Sequence, residues 1–230
     1  MTLKEYRKKR RFGVTPEPSG KADGKHSKNA PLIYVIQKHR ATRLHYDFRL
    51  EWKGTLLSWA VPKGPSLDPS VKRLAMEVED HPVDYANFEG VIPAGEYGGG
   101  TVMVWDTGTW EPEQPDVDAA IAKGDLKFTL HGKKLKGSWV LVRTHGFGGS
   151  SKPSWLLIKH RDQFASSTND PTVTEPKSAL SKRLLAQIAR DGGGNVEEAS
   201  TGDPGGKSAP AKVSKPTKPR SAAQPRKKRK

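Results

Sequence analysis

The sequence predicts a mostly β fold, a closed barrel or a sandwich, ending in a disordered basic tail. Three observations carry this expectation. Residues 44–52 alternate strictly between apolar and polar side chains. Further short β-type segments, bounded by turn residues, recur at regular spacing between Pro31 and Arg161. Little helix-forming sequence lies between them.

Residues 1–30 read as a basic arm: a short helix over Leu3 to Arg11, then an irregular stretch at Thr15-Pro16-Glu17-Pro18-Ser19-Gly20. Leu32 to His39 reads as the first strand and Leu44 to Trp52 as the second. A strand has period 2, so Leu44, Tyr46, Phe48, Leu50 and Trp52 go to a core while His45, Asp47, Arg49 and Glu51 face the other way. Thr55 to Val61 is an apolar run closed by Pro62-Lys63-Gly64-Pro65, a turn signal. Lys72 to His81 alternates again, with Leu74, Met76 and Val78 on one face and Arg73, Glu77, Glu79 and His81 on the other. Val102 to Trp105 and Thr109-Trp110 flank Asp106-Thr107-Gly108, a hairpin signature. Asp118 to Lys123 suits one or two helical turns. Lys127 to Leu130 and Ser138 to Arg143 flank a Gly- and Lys-rich turn, and Trp155 to Lys159 is the last strand. A helix is expected over Ser178 to Arg190, with Leu180, Leu184, Leu185 and Ile188 on one stripe, stopped by Gly192-Gly193-Gly194. Beyond it Gly, Pro, Ser, Ala and Lys dominate and cannot bury enough apolar surface to offset chain entropy. The expected organisation is an arm over 1–30, a β core over 31–165, a linker and helix over 166–192, and a disordered tail over 193–230.

The net charge of +15 is unevenly placed. Residues 1–30 carry nine Lys or Arg against three acids, and residues 204–230 carry ten against none. The segment between them holds 21 basic and 22 acidic residues. Two basic ends around a neutral body read as polyanion binders acting through phosphate contacts; the plainer reading is a solubilising tail. There is no cysteine, hence no disulfide framework, thiolate zinc site or cysteine nucleophile. No apolar run is long enough to span a bilayer, and the basic N-terminus lacks a signal-peptide core. The expected location is the cytoplasm, with nucleoid association.

The chemistry concentrates in His39-x5-His45-x-Asp47-x-Arg49. His45 and Asp47 share a strand face, and His39 completes a facial triad if residues 40–43 form a tight turn or an irregular crossing. Two imidazoles and a carboxylate suit Mn²⁺, Fe²⁺ or Zn²⁺ and leave positions for substrate oxygens. The plainer reading is two surface histidines beside a salt bridge. His81 ends the second alternating strand; it suits protonation of a leaving oxygen, a phosphate contact, or only a backbone hydrogen bond. Arg49 and Arg73 suit a bidentate phosphate clamp and Lys63 a point charge, or each is an ordinary surface cation. Gly98-Gly99-Gly100 lacks the Gly-Lys-Ser/Thr ending of a phosphate loop and reads as a tight turn into a strand. His131, His145 and His160 have no ligand-spaced partner, and no Gly-x-Ser-x-Gly elbow occurs.

Taken in series, Gln37 to Glu51, Trp59-Ala60-Val61-Pro62-Lys63-Gly64-Pro65-Ser66, Glu79-Asp80-His81-Pro82-Val83-Asp84-Tyr85, Phe88 to Val102 and Trp105-Asp106 resemble the 3′-phosphoesterase domain of bacterial DNA ligase D, in a free-standing version. The resemblance covers about residues 1–190. It implies a compact β-barrel flanked by short helices, and trimming of DNA 3′ ends with Mn²⁺ as the preferred metal. The implied chemistry removes a terminal ribonucleoside from a primer-template to leave a 3′-phosphate, then removes the phosphate to leave a 3′-hydroxyl. It implies His39, His45 and Asp47 as metal ligands, and Arg49 and His81 at the scissile phosphate. Lys63, Arg73 and Tyr85 support the phosphate site, and Gln37 and Glu79 match polar active-site positions. At the N-terminus Arg10, Arg11, Phe12, Thr15 and Glu17 match, except that the family's Arg-Asp-Phe has Arg11 in place of the acid. A terminal 2′-hydroxyl acting as nucleophile or metal contact would account for a ribonucleotide preference. Implied partners are DNA 3′ ends, Ku and DNA ligase D, with no membrane. The alternative is a non-catalytic DNA-binding repair accessory on the same fold; a general RNA-binding role lacks exposed aromatics on an RNP-like sheet.

Overall fold

The computed structural model describes residues 3–20, 30–144 and 154–206. Nine strands form one antiparallel sheet: β1 (Ile33–Arg40), β2 (Leu44–Trp52), β3 (Thr55–Val61), β4 (Arg73–Pro82), β5 (Gly90–Ile92), β6 (Gly100–Pro112), β7 (Asp125–Gly132), β8 (Lys136–Thr144) and β9 (Ser154–Lys159). Their order is β1-β2-β3-β4-β9-β8-β7-β6-β5, and β1 also pairs with β6, so all but β5 close into a barrel. A barrel of eight strands leaves an interior just wide enough for side chains to fill. Here Phe48, Trp59, Trp105, Trp110, Phe128, Trp139 and Trp155 fill it. Phe48 packs tilted against Trp59 and Phe128 at 6.4 and 5.7 Å between ring centroids. Truncating such a side chain to alanine costs roughly 3–5 kcal/mol.

The alternation along β2 sends Tyr46, Phe48 and Leu50 inward, as expected. Its polar face is also buried. A second layer covers that stretch of outer wall: helix α1 (Leu3–Lys8), a 3₁₀ turn (Val83–Asn87) and β5. Between layer and wall lies a second cluster that includes Tyr6, Val35, Leu56, Tyr85, Phe88 and Ile92. Asp47, Arg49 and Glu51 are buried although they point away from the barrel interior.

Four expectations change. Asp106-Thr107-Gly108 is not a hairpin turn: β6 runs unbroken through it, pairing with β5, β1 and β7 along its length. Asp106 is buried and accepts hydrogen bonds from the Tyr34 hydroxyl (2.6 Å) and the amides of Lys134 and Leu135 (both 2.9 Å), fixing the true β7–β8 turn. Gly108 is there because a Cβ would lie 2.2 Å from the His131 carbonyl oxygen. On β4 the apolar parity is not the core face: Ala75 faces the core while Met76 is 43% exposed.

The helix expected over 178–190 is confined to α4 (Leu185–Asp191), which follows α2 (Val117–Lys123) and α3 (Pro171–Thr174) along the chain. Lys182 adopts a left-handed φ of 64°, and Ser178, Ser181 and Arg183 are used to bind Glu89. The chain also stays folded past residue 193. Helix α5 (Val196–Ser200) is capped by Asn195, and Asp203 accepts from the Leu185 and Ala186 amides at 3.0 and 2.9 Å. Residues 207–230, the rest of the expected tail, lie outside the described residues.

Candidate active site

The antiparallel register of β1 and β2 sets His39 directly opposite His45 and Gln37 opposite Asp47, so the 41–43 turn brings the predicted triad together. The two imidazole centroids are 4.8 Å apart. One ligand atom from each of His39, His45 and Asp47 falls within 4.8 Å of the others. Backbone carbonyls fix both ring tautomers. A carbonyl can only accept, so His39 Nε2 carries the proton given to Gly98 O (2.9 Å), and His45 Nδ1 carries that given to Arg43 O (3.0 Å). The lone-pair nitrogens, His39 Nδ1 and His45 Nε2, then face Asp47 at 3.5 and 3.6 Å, longer than a good hydrogen bond. Carbonyl-oriented imidazoles beside a carboxylate are how protein metal sites hold their ligands. The group can hold a metal ion. Burial alone would raise the Asp47 carboxyl, but the Arg49 guanidinium and the two histidines outweigh it and hold Asp47 well below the usual range. For His45, burial lowers the ring's pKa and Asp47 more than offsets this, so the net shift is upward.

Arg49 is the second part of the site. Its Nε donates to Gln37 Oε1 at 2.8 Å and its Nη2 lies 3.3 Å from Asp47 Oδ2. Gln37 spends its amide N–H groups on the carbonyls of Tyr85 (3.0 Å) and Phe88 (2.9 Å). A fully buried Gln thus ties the guanidinium to the 3₁₀ turn. His81 sits between two guanidiniums, 2.9 Å from Arg49 Nη1 and 3.2 Å from Arg10 Nη2. The Nδ1 that Arg49 approaches is also 2.8 Å from Glu79 O; a proton on Nδ1 serves that carbonyl and leaves Nε2 to accept from Arg10, so the Arg49 approach is then a close N–H to N–H contact and not a hydrogen bond. Burial first, then Arg49 and Arg10, push His81 well below the ordinary histidine pKa. The ring is neutral at neutral pH.

Arg10 comes from the arm and spans two buried acids, Glu17 (2.8 Å) and Glu79 (3.2 Å). Lys9 reaches the other oxygen of Glu79 at 2.9 Å. Glu17 also accepts from the hydroxyls of Tyr85 (3.0 Å) and Thr15 (2.8 Å). Tyr6 lies edge-on to His81 at 4.9 Å, with the Arg10 guanidinium 3.9 Å over its face. Beside these groups lies an open cleft of ≈ 170 Å³, lined by the triad, Arg10, Arg49, Glu79, His81, Tyr85 and Tyr97.

Residues 37–143 match the sequence profile of the family described as the DNA Ligase D 3′-phosphoesterase domain. The chain carries a DNA ligase D 3′-phosphoesterase domain. Among its relatives is the multifunctional non-homologous end joining protein LigD of Pseudomonas aeruginosa, 55% identical over 185 residues, 80% of this chain and 22% of the relative. The multifunctional non-homologous end joining DNA repair protein LigD of Mycobacterium tuberculosis is 46% identical over 161 residues, 70% of this chain and 20% of the relative. LigD of Mycolicibacterium smegmatis is 41% identical over 166 residues, 70% of this chain and 21% of the relative. The chain thus spans about a fifth of the length of these relatives.

In this phosphoesterase domain most of the residues expected at the site do converge, on the outer wall of the barrel under the arm. Gln37 and Glu17 stand behind the cleft as supports and do not line it. Lys63 is exposed on its turn, away from the cleft lining. Arg73 shares the inward parity of Ala75, its Nε is buried without a partner, and it too does not line the cleft. The expected Arg49–Arg73 pair is not brought together at the cleft; the second guanidinium lining it beside Arg49 is that of Arg10. Arg11, where the resemblance implies an acid, is exposed and pairs with Glu96, its Nε 3.2 Å from Glu96 Oε2. Sequence reasoning missed Tyr6, Lys9, Tyr97 and the Gly98 carbonyl. The adjacency of Tyr97 to the glycine run was the one local signal. His131 and His160 lie away from the cleft, and His145 is outside the described residues.

Proposed function

We propose that the domain processes DNA 3′ ends in non-homologous end joining. It removes a 3′-terminal ribonucleoside as a phosphodiesterase and then the 3′-phosphate as a phosphomonoesterase, leaving a 3′-hydroxyl for repair synthesis and sealing. Mn²⁺ is the expected metal, held by His39, His45 and Asp47. The observation that carries the reading is the meeting of three ligand atoms within 4.8 Å beside a guanidinium locked by Gln37 and Asp47. A bound divalent ion supplies a Lewis acid for a phosphate oxygen.

The chain's own residues do the rest. Arg49 and Arg10 enter the cleft from opposite elements, strand and arm, and present fixed N–H groups to phosphate oxygens as charge develops. Neutral His81, braced by Tyr6 and Tyr85, keeps the two guanidiniums apart and aimed. In this role it is an aligner of the phosphate contacts, and it does not arrive protonated as an acid. Glu17 and Glu79 hold Arg10 and Lys9 in place without entering the cleft's centre or leaving their charge unpaired. Ku and DNA ligase D are the proposed protein partners, in a cytoplasmic, nucleoid-associated setting. No helix among the described residues is long and apolar enough to cross a membrane.

The test is incubation with a labelled primer-template ending in one 3′-ribonucleotide, with and without Mn²⁺, read as product length and end chemistry. Shortening by one nucleotide to a 3′-phosphate and then a 3′-hydroxyl supports the reading. An unchanged strand at all metal concentrations rejects it in favour of a non-catalytic end-binding role.

A further inference from the structure

Tyr97 is the one exposed side chain among the described residues lining the cleft, at 49% of its surface. The ring stands half in solvent beside the Lys9 and Arg10 cations. Its position is fixed from two sides. Gly98, the next residue, gives its carbonyl to His39, and the turn is closed by Glu96 N–H to Pro93 O (3.2 Å) and Gly99 N–H to Glu96 O (3.0 Å). From the arm, Lys9 Nζ lies 3.2 Å from the Tyr97 hydroxyl and 4.5 Å from the ring centroid, with the Arg10 guanidinium 5.6 Å away. The ring lines the same cleft as the triad, so a base resting on it belongs to the strand end that occupies the cleft.

We infer that Tyr97 is the stacking platform for the terminal nucleobase of the strand whose 3′ end occupies the cleft. The inference rests on the proposed function for its substrate class, and adds which residue recognises the departing nucleoside and by what contact. A π-face accepts any base, so the contact selects for the presence of a base and not for its identity. The cleft is open and only ≈ 170 Å³, too small for a duplex, so a strand enters it by its end and the terminal base rests at the exposed edge where Tyr97 stands.

The test is equilibrium binding by fluorescence anisotropy. It uses two primer-templates that differ only at the 3′ end, one with a terminal ribonucleoside and one with the same ribose lacking its base, against wild type, Tyr97→Phe and Tyr97→Leu. Contacts from basic segments act equally on both strands and cancel in the ratio. Wild type and Tyr97→Phe should prefer the base-bearing strand about five- to hundredfold, the range for one stacked base; in Tyr97→Leu the preference should collapse towards onefold. A preference that survives in Tyr97→Leu, or is absent in wild type, overturns the inference. Wild type that shows the base preference yet fails to cleave would sink the proposed function and leave the stacking role standing.

Discussion

Gln37 offers a quantitative test of how the site is held. It is fully buried and makes three hydrogen bonds: two donated to the Tyr85 and Phe88 carbonyls and one accepted from Arg49 Nε. Gln37→Leu keeps most of the volume and takes the Gln37 partner from the Phe88 carbonyl and from one guanidinium N–H, while the Tyr85 carbonyl keeps the Phe88 amide at 3.0 Å. An unpaired buried polar group costs roughly 1–3 kcal/mol. Local relaxation prevents the two from adding in full, so the expected loss is about 3 kcal/mol. For a chain of this size each kcal/mol moves Tm by roughly 2–4 °C, giving a drop of about 6–12 °C. Freed of its Gln, Arg49 also loses its aim, and a misplacement near 1 Å costs on the order of 10²-fold in rate. Urea unfolding gives the stability change and the primer-template assay gives the rate. Gln37→Glu separates the two parts: it keeps an acceptor for Arg49 but sets a carboxylate against two carbonyls, so stability falls further than in Gln37→Leu. A Gln37→Leu protein within about 0.5 kcal/mol of wild type and with unchanged turnover would refute the reasoning.

Other outcomes follow from the same geometry. His45 is shifted upward by Asp47, and a metal takes only the neutral ring, so Mn²⁺ affinity should weaken about tenfold per pH unit as pH falls below that raised pKa; calorimetry in buffers of different ionisation enthalpy should detect the released proton. His81 runs the other way. Its folded pKa lies below the ordinary value near 6.5, so the unfolded chain binds the extra proton first and stability should decline as pH drops through about 6.5; His81→Asn should flatten that part of a urea-midpoint profile against pH. Arg11→Asp exchanges the Glu96 ion pair for a repulsive one on an exposed edge, and should alter the diester step more than the monoester step; equal effects on both would reject a role for position 11 in the chemistry. Removing residues 207–230 deletes ten Lys or Arg and should flatten the dependence of DNA affinity on salt, by about 0.9 in log–log slope for each phosphate no longer neutralised.

The sequence showed the fold where one face of a strand meets the barrel interior. In β2 the alternation from Leu44 to Trp52 translates directly into Tyr46, Phe48 and Leu50 in the core. It misled where burial comes from a second layer. On β4, Glu79 and His81 are buried because an arm more than sixty residues away in sequence folds over them, while Met76 on the apolar parity lies open. The triad was legible because strand period and hairpin pairing are local. The network behind it was not, since Arg10 meets Glu79 and His81 across 69 and 71 residues. Asp106-Thr107-Gly108 imitated a turn because its composition serves another purpose, an aspartate satisfying a neighbouring turn and a glycine admitting a close strand. The order of residues 193–206 escaped composition because a few specific bonds, such as those of Asp203 to the start of α4, hold a segment with little apolar surface.

Electron paramagnetic resonance with Mn²⁺ titrated into the metal-free chain bears most directly on the whole account. Wild type should take up one tightly held ion, and His39→Ala and Asp47→Ala should each lose it while keeping the wild-type circular dichroism spectrum. An ion bound undiminished in both variants would mean that the two imidazoles and the carboxylate on the outer wall are not its ligands.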